Sequence, residues 1–297
     1  MNRYRAFTRA AAAVGMLLGL AAAGCGKSQK TTVVGSMSST EQVVLGEIVA
    51  QHLEHRLGRK VDRRLDLGGT TLGYQAFQSG EISLYAEDAG TIVTQILQEQ
   101  AGEDASLIFA RAQGEMKRTA QAELLNPLGL DNSFVAVIRA DDPRAAKVAT
   151  LSQAAAVQDG WILGATAEFQ QLGDGMPRLT QYKLPMKAAP RSTDGGQLFK
   201  ALQDGTVTMI VARATDGALT QKTWKVLSDD QHVFVPKQAS LLVAGSLLAA
   251  QPDVRPVLDE LAGKITTAKM RELDAQVDLG RQQPKDVAAA FLMQSGL

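Results

Sequence analysis

The chain has one cysteine in 297 residues, so no intramolecular disulfide can staple it and the fold must rest on its core. Histidine is equally scarce, at three residues, and His52 and His55 have no third ligand near them in sequence to complete a metal site. On a helix the two read as solvated surface residues, and His232 lies in a loop with no nucleophile motif beside it. Serine and cysteine lack the sharp-turn or His–Asp context of covalent catalysis. Gly68-Gly69 and Gly195-Gly196 are not followed by the Gly-Lys-Ser/Thr of a phosphate loop and read as tight strand-to-helix turns. No charge of one sign dominates, with 31 Lys+Arg against 31 Asp+Glu, so no basic field points to nucleic acid. Aromatic residues make up only 5%. Nothing here predicts an enzyme, a bound metal or a cofactor.

Long apolar runs are also missing, apart from the uncharged stretch Ala10 to Ala23, which is short for a permanent span. Arg3, Arg5 and Arg9 precede it, and Ala22-Ala23-Gly24-Cys25 closes it with small residues. This pattern resembles a bacterial lipoprotein signal. It implies that residues 1–24 are removed and that Cys25 is lipidated, with residues 25–30 as a polar tether. Such sites usually carry Leu where this chain has Ala22. Removing 24 residues leaves 273, and three arginines go with them, so 28 basic residues face 31 acidic ones. Past the signal the longest charge-free stretch, Gln238 to Pro252, contains Gly245 and is too short to span a bilayer. The expected location is outside the cytoplasm, with the lipid as the only membrane attachment.

The mature part alternates strands and helices. Thr31 to Gly35 is strand-like, and a helix is predicted over Glu41 to Leu57 from Val44, Leu45, Ile48, Val49 and Leu53. Strand Lys60–Leu67, helix Thr70–Ser79, strand Glu81–Ala86 and helix Gly90–Glu99 follow. A second block begins at Phe134–Ile138 and continues with strand Trp161–Thr166, helix Gly196–Gln203 and strand Thr206–Val211. Strand Ser240–Ala244 and helices Asp253–Lys264, Thr267–Val277 and Pro284–Gln294 end the chain. Such alternation predicts an α/β protein whose sheets are mostly parallel and flanked by helices.

The two blocks echo one another. Residues 74–88 lie over residues 199–213 with Ala76/Ala201, Gln78/Gln203 and Gly80/Gly205 identical, a likeness that any helix–Gly–strand unit could also produce. The alignment puts Asp88 and Arg213 at matching places just beyond their strands, where open α/β sheets bind ligands.

Gly35-Ser36-Met37-Ser38-Ser39-Thr40-Glu41-Gln42, Leu67-Gly68-Gly69-Thr70, Tyr85-Ala86-Glu87-Asp88-Ala89-Gly90-Thr91, Asn126-Pro127-Leu128-Gly129-Leu130, Gly164-Ala165-Thr166-Ala167-Glu168-Phe169 and Thr215-Asp216-Gly217 carry a resemblance over nearly the whole mature chain. It is to the osmoprotectant-binding proteins, the glycine betaine, choline and carnitine receptors of ABC importers. The resemblance implies a two-lobe, periplasmic-binding-protein-like fold of type II with a hinge. Lobe 1 would hold residues 28–133 and 233–297, and lobe 2 residues 134–232. It also implies a small-molecule ligand, permease and ATPase partners, and a monomer.

That family holds a trimethylammonium group in a cage of aromatic rings. At the cage positions this chain carries Asp88, Arg213 and Lys237 where Tyr is usual, and Ser39 where Phe is usual; Phe134 alone keeps its ring. Gln42 and Thr91 match positions that contact the ligand's polar end, although Ser39 and Gln42 also read as a helix capping box and Thr91 as a first-turn residue. Arg and Asp together suit a zwitterionic or anionic solute, since an Arg fork binds carboxylate and Asp holds an ammonium. Three alternatives stay open. Asp88 and Arg213 could pair with each other, Asp88 could counter a quaternary amine in place of the cage, or the protein could serve as a ligand-sensing accessory to a membrane receptor.

Overall fold

The strands form two separate five-stranded sheets. The computed structural model describes residues 31–297, so the signal and Cys25 lie outside it. The first sheet has the order β2-β1-β3-β10-β4, built from β1 (Val33–Gly35), β2 (Asp62–Arg64), β3 (Leu84–Asp88), β4 (Ala122–Leu124) and β10 (Ala239–Ala244). The second has the order β7-β6-β8-β5-β9, from β5 (Phe134–Arg139), β6 (Leu163–Ala165), β7 (Arg191–Ser192), β8 (Met209–Arg213) and β9 (Trp224–Leu227).

Each sheet is sandwiched between helices, and the period-two alternation of its strands assigns side chains to the two faces. In β3, Leu84 and Ala86 join one core and Tyr85 the other; in β8, Met209 and Val211 face one core and Ile210 and Ala212 the opposite one. Helix Thr40–Leu57 buries Val44, Leu45, Ile48 and Leu53 beside Phe291 and Leu292 of the C-terminal helix Pro284–Ser295. The second sheet has its own core around Trp161, Phe169 and Phe134.

The sheets are mixed. β10 is antiparallel to β3 and β4, and β5 to β8 and β9, while the remaining pairings are parallel. Both reversed strands are the ones that enter a sheet directly from the other lobe. They start where β3 and β8 finish, with Ala239 opposite Asp88 and Phe134 opposite Arg213. A strand arriving at that end can only run backwards along its neighbour.

Several boundaries move. β2 is shorter than Lys60–Leu67, and the expected helix Gly90–Glu99 is a short turn, Ala89–Thr91, followed by a π-helical turn at Ile92–Ile96. β3 and β8 run on to include Asp88 and Arg213, which are thus the last strand residues rather than the first loop residues. Helix Ala105–Ala120, absent from the expected elements, buries only Ile108, Ala112 and Met116 and is capped by the Asp104 carboxylate accepting from Ser106 N at 2.8 Å. The echo between the blocks has a backbone cause. Gly80 and Gly205 end their helices at φ of 77° and 71°, a region that favours glycine.

Candidate ligand-binding cleft

Because β3 and β8 both end where the chain crosses between sheets, Asp88, Phe134 and Arg213 converge on one place. They line a cavity of about 650 Å³ between the two lobes, together with Ser39, Gln42 and Thr91. Lys237 does not line it. Its ammonium is wholly buried in an ion pair with Asp174 at 2.8 Å and donates to Thr91 Oγ1 at 3.2 Å. A buried lysine needs a carboxylate, and Gly173-Asp174-Gly175 supplies one from the second lobe. The Thr94 hydroxyl donates to the same carboxylate at 3.3 Å.

Ser39 is the N-cap of its helix, with its hydroxyl accepting from Gln42 N at 3.3 Å. The return arm of a capping box is not made. Gln42 lines the cavity instead, and its buried Oε1 has no hydrogen-bond partner. Asp88 is 6% exposed and its Oδ1 likewise has none. Burial raises the Asp88 pKa to about 6 against the pull of Lys237 and Arg213. Asp88 and Arg213 do not form an ion pair. The Arg213 guanidinium meets Glu168 at 3.4 Å and stacks 4.1 Å over the Phe134 ring. Phe134 in turn packs edge-on against Phe169 at 4.8 Å and Phe234 at 6.0 Å.

Carboxyl groups outnumber bases around the cavity. Glu87, Asp88, Glu168 and Asp216 line it with a single guanidinium, that of Arg213. Burial pushes Glu87 up to about 8, with the charge of Asp88 adding to the shift. Behind the wall, burial raises Glu41 to about 8 and Asp274 to about 10, with Asp88 and Glu41 respectively the next causes, so both are protonated at neutral pH. Glu41 accepts from Asn132 Nδ2 at 3.0 Å, and Asn132 Oδ1 accepts from the Thr215 hydroxyl at 2.8 Å.

His52 is buried rather than solvated. Its Nε2 sits 3.0 Å from the Val257 carbonyl and 3.4 Å from Glu260, because helix Val254–Asp259 packs against that face; His55 is exposed. Among the described residues no group of three His, Cys, Asp or Glu side chains could hold a metal ion. Sequence reasoning missed Glu87, Asp174 and Asp216. Doubled acids at a strand end, Glu87-Asp88, were the available sign of the first; glycines on both sides were the only sign of the second.

Two αβ lobes, each with a reversed strand at the crossing and a polar cavity between them, define a two-lobe binding protein. Residues 30–294 match the family described as the substrate binding domain of ABC-type glycine betaine transport systems, and the chain belongs to that family. It is 27% identical over 277 residues to the carnitine transport binding protein of Listeria monocytogenes, covering 92% of this chain and 89% of that one. It is 28% identical over 292 residues to the glycine-betaine-binding protein of Pseudomonas aeruginosa, covering 94% and 92%. The fold is shared with the crystal structure of a glycine betaine/carnitine/choline ABC transporter protein (TM-score 0.81, 23% identity, covering 89% of this chain and 98% of that one). Apo YehZ from Escherichia coli shares it too, at a TM-score of 0.74, 24% identity, and 90% and 99% coverage. The chain is a substrate-binding protein, not an enzyme. Substrate-binding proteins of ABC importers work outside the cytoplasmic membrane with a permease and an ATPase.

Proposed function

We propose that this protein captures a small zwitterion and delivers it to its permease and ATPase while tethered by a lipid on Cys25. The observation that carries the reading is the charge pattern of the cavity. A buried, unpartnered Asp88 oxygen and the Arg213 guanidinium lie in one cavity without pairing with each other. A carboxylate with no internal partner attracts a ligand cation, and a guanidinium fork donates two parallel hydrogen bonds to a ligand carboxylate. Even with Glu87 protonated and Glu168 paired with Arg213, Asp88 and Asp216 remain as lining carboxyls against one base, which disfavours a purely anionic solute. Closing the lobes over the ligand requires no covalent step.

Titration calorimetry with amino acids and betaines, beside matched amines and carboxylates, tests the charge requirement. Zwitterions should bind, and removing either charge should cost at least about tenfold, or 1.4 kcal/mol. Tight binding of a dicarboxylate would sink the reading. The anchor has a separate check. The protein should incorporate labelled palmitate and sediment with membranes, and Cys25→Ser should abolish both; a wild-type protein that is unlabelled and wholly soluble would rule the lipid out.

A further inference from the structure

We infer that the cationic end of the ligand carries N–H groups, as a primary or secondary ammonium or a guanidinium does, and is not a fully methylated ammonium. The inference rests on the zwitterion reading and concerns the same cavity. Its first support is a pair of acceptors. Asp88 Oδ1 and Gln42 Oε1 are both buried, both belong to residues lining the cavity, and neither has a hydrogen-bond partner. An acceptor cut off from water is costly unless a donor reaches it. A trimethylammonium has no hydrogen to offer them, whereas an N–H cation satisfies both acceptors and places its charge on Asp88.

The second support is the state of the rings. A methylated cation is held by free aromatic faces. The aromatic residues lining the cavity are Phe134 and Phe169. Phe169 is wholly buried and meets Phe134 at 80°, and the chain's own Arg213 guanidinium already lies over Phe134. The Lys237 ammonium stands 5.6 Å from the same ring. Both cations are ion-paired, to Asp174 and Glu168, so what they deny a methylated cation is the ring face that the guanidinium already covers. The ring position that could receive a methylated cation is therefore occupied from within the chain.

Methylation series test this directly. The purified protein is titrated with glycine, sarcosine, dimethylglycine and glycine betaine, and with 4-aminobutyrate and its N-methylated forms, each step replacing one N–H by an N–CH3 while the carboxylate and net charge stay the same. The expected result is that an N–H member binds tightest in any series that binds, with the trimethyl member at least tenfold weaker. Asp88→Asn should narrow that gap by weakening the N–H member. Gln42→Met, a substitution of similar volume, should do so to a smaller degree, with thermal unfolding confirming that both variants fold. A trimethyl member that binds tightest, or a gap untouched by either substitution, overturns the inference and leaves the zwitterion reading standing. No binding by any member overturns the zwitterion reading and the inference with it.

Discussion

Lys237→Met is expected to destabilise the unliganded protein by about 3–5 kcal/mol, the cost of removing one partner from a buried ion pair. The lysine side chain is 0% exposed and Asp174 3%, at an N–O distance of 2.8 Å. Deleting the ammonium strands the Asp174 carboxylate, whose Oδ1 already lacks a partner. At no more than about 2–4 °C per kcal/mol, the value for 150–250 residues and an upper limit for this longer chain, the melting temperature should fall by up to roughly 6–20 °C. The pair also ties the lobes together. Asp174 belongs to the second lobe, Lys237 to the crossing segment, and Thr91 and Thr94, which bond to the pair, to the first. Small-angle scattering of the variant should therefore show a larger radius of gyration. The double variant Lys237→Met/Asp174→Leu should regain most of the lost stability, because apolar replacement of a whole buried pair is often neutral or better. A single variant that melts within about 2 °C of wild type would show that the pair does not hold the lobes.

Arg213→Ala is expected to weaken binding of the zwitterion by about 2–5 kcal/mol, the range for truncating one side of a buried charge pair. That corresponds to roughly thirtyfold to several thousandfold in Kd. Stability without ligand should change by no more than about 1–2 kcal/mol. Its partner Glu168 is 62% exposed and such pairs contribute little, leaving chiefly the stacking on Phe134 to lose. Arg213→Lys should recover only part of the affinity, since an ammonium cannot grip a carboxylate with two parallel bonds. Calorimetry on the best zwitterion decides it, and unchanged affinity in the alanine variant would remove Arg213 from the site.

These two cations show where reading the chain works and where it stops. Arg213 was placed by local signals, since the glycine turn at Gly205 and the apolar run after it mark a strand whose end faces the cleft. Lys237 looked equivalent from its family position, yet it is enclosed, because Asp174 lies 63 residues earlier and no local pattern links them. Helix Ala105–Ala120 is a different case. Its buried stripe, Ile108, Ala112 and Met116, recurs every four residues and was legible, with Asp104 as its cap.

By itself the sequence determined the α/β class, the two blocks and the helix–glycine–strand units, since each follows from short-range periodicity and turn chemistry; Asp88 and Arg213 were suggested at strand ends by the internal echo, and Gln42 and Phe134 at the cleft only by the family resemblance. Tertiary structure alone decided strand direction, because hydrophobic alternation is the same for a strand read either way and only its point of entry reverses β5 and β10. It also decided the state of each charge. Whether a lysine meets a ligand or an aspartate, and whether an Asp88 oxygen stays unpartnered, depends on which groups burial brings within about 3 Å, a distance set by packing between segments far apart in the chain.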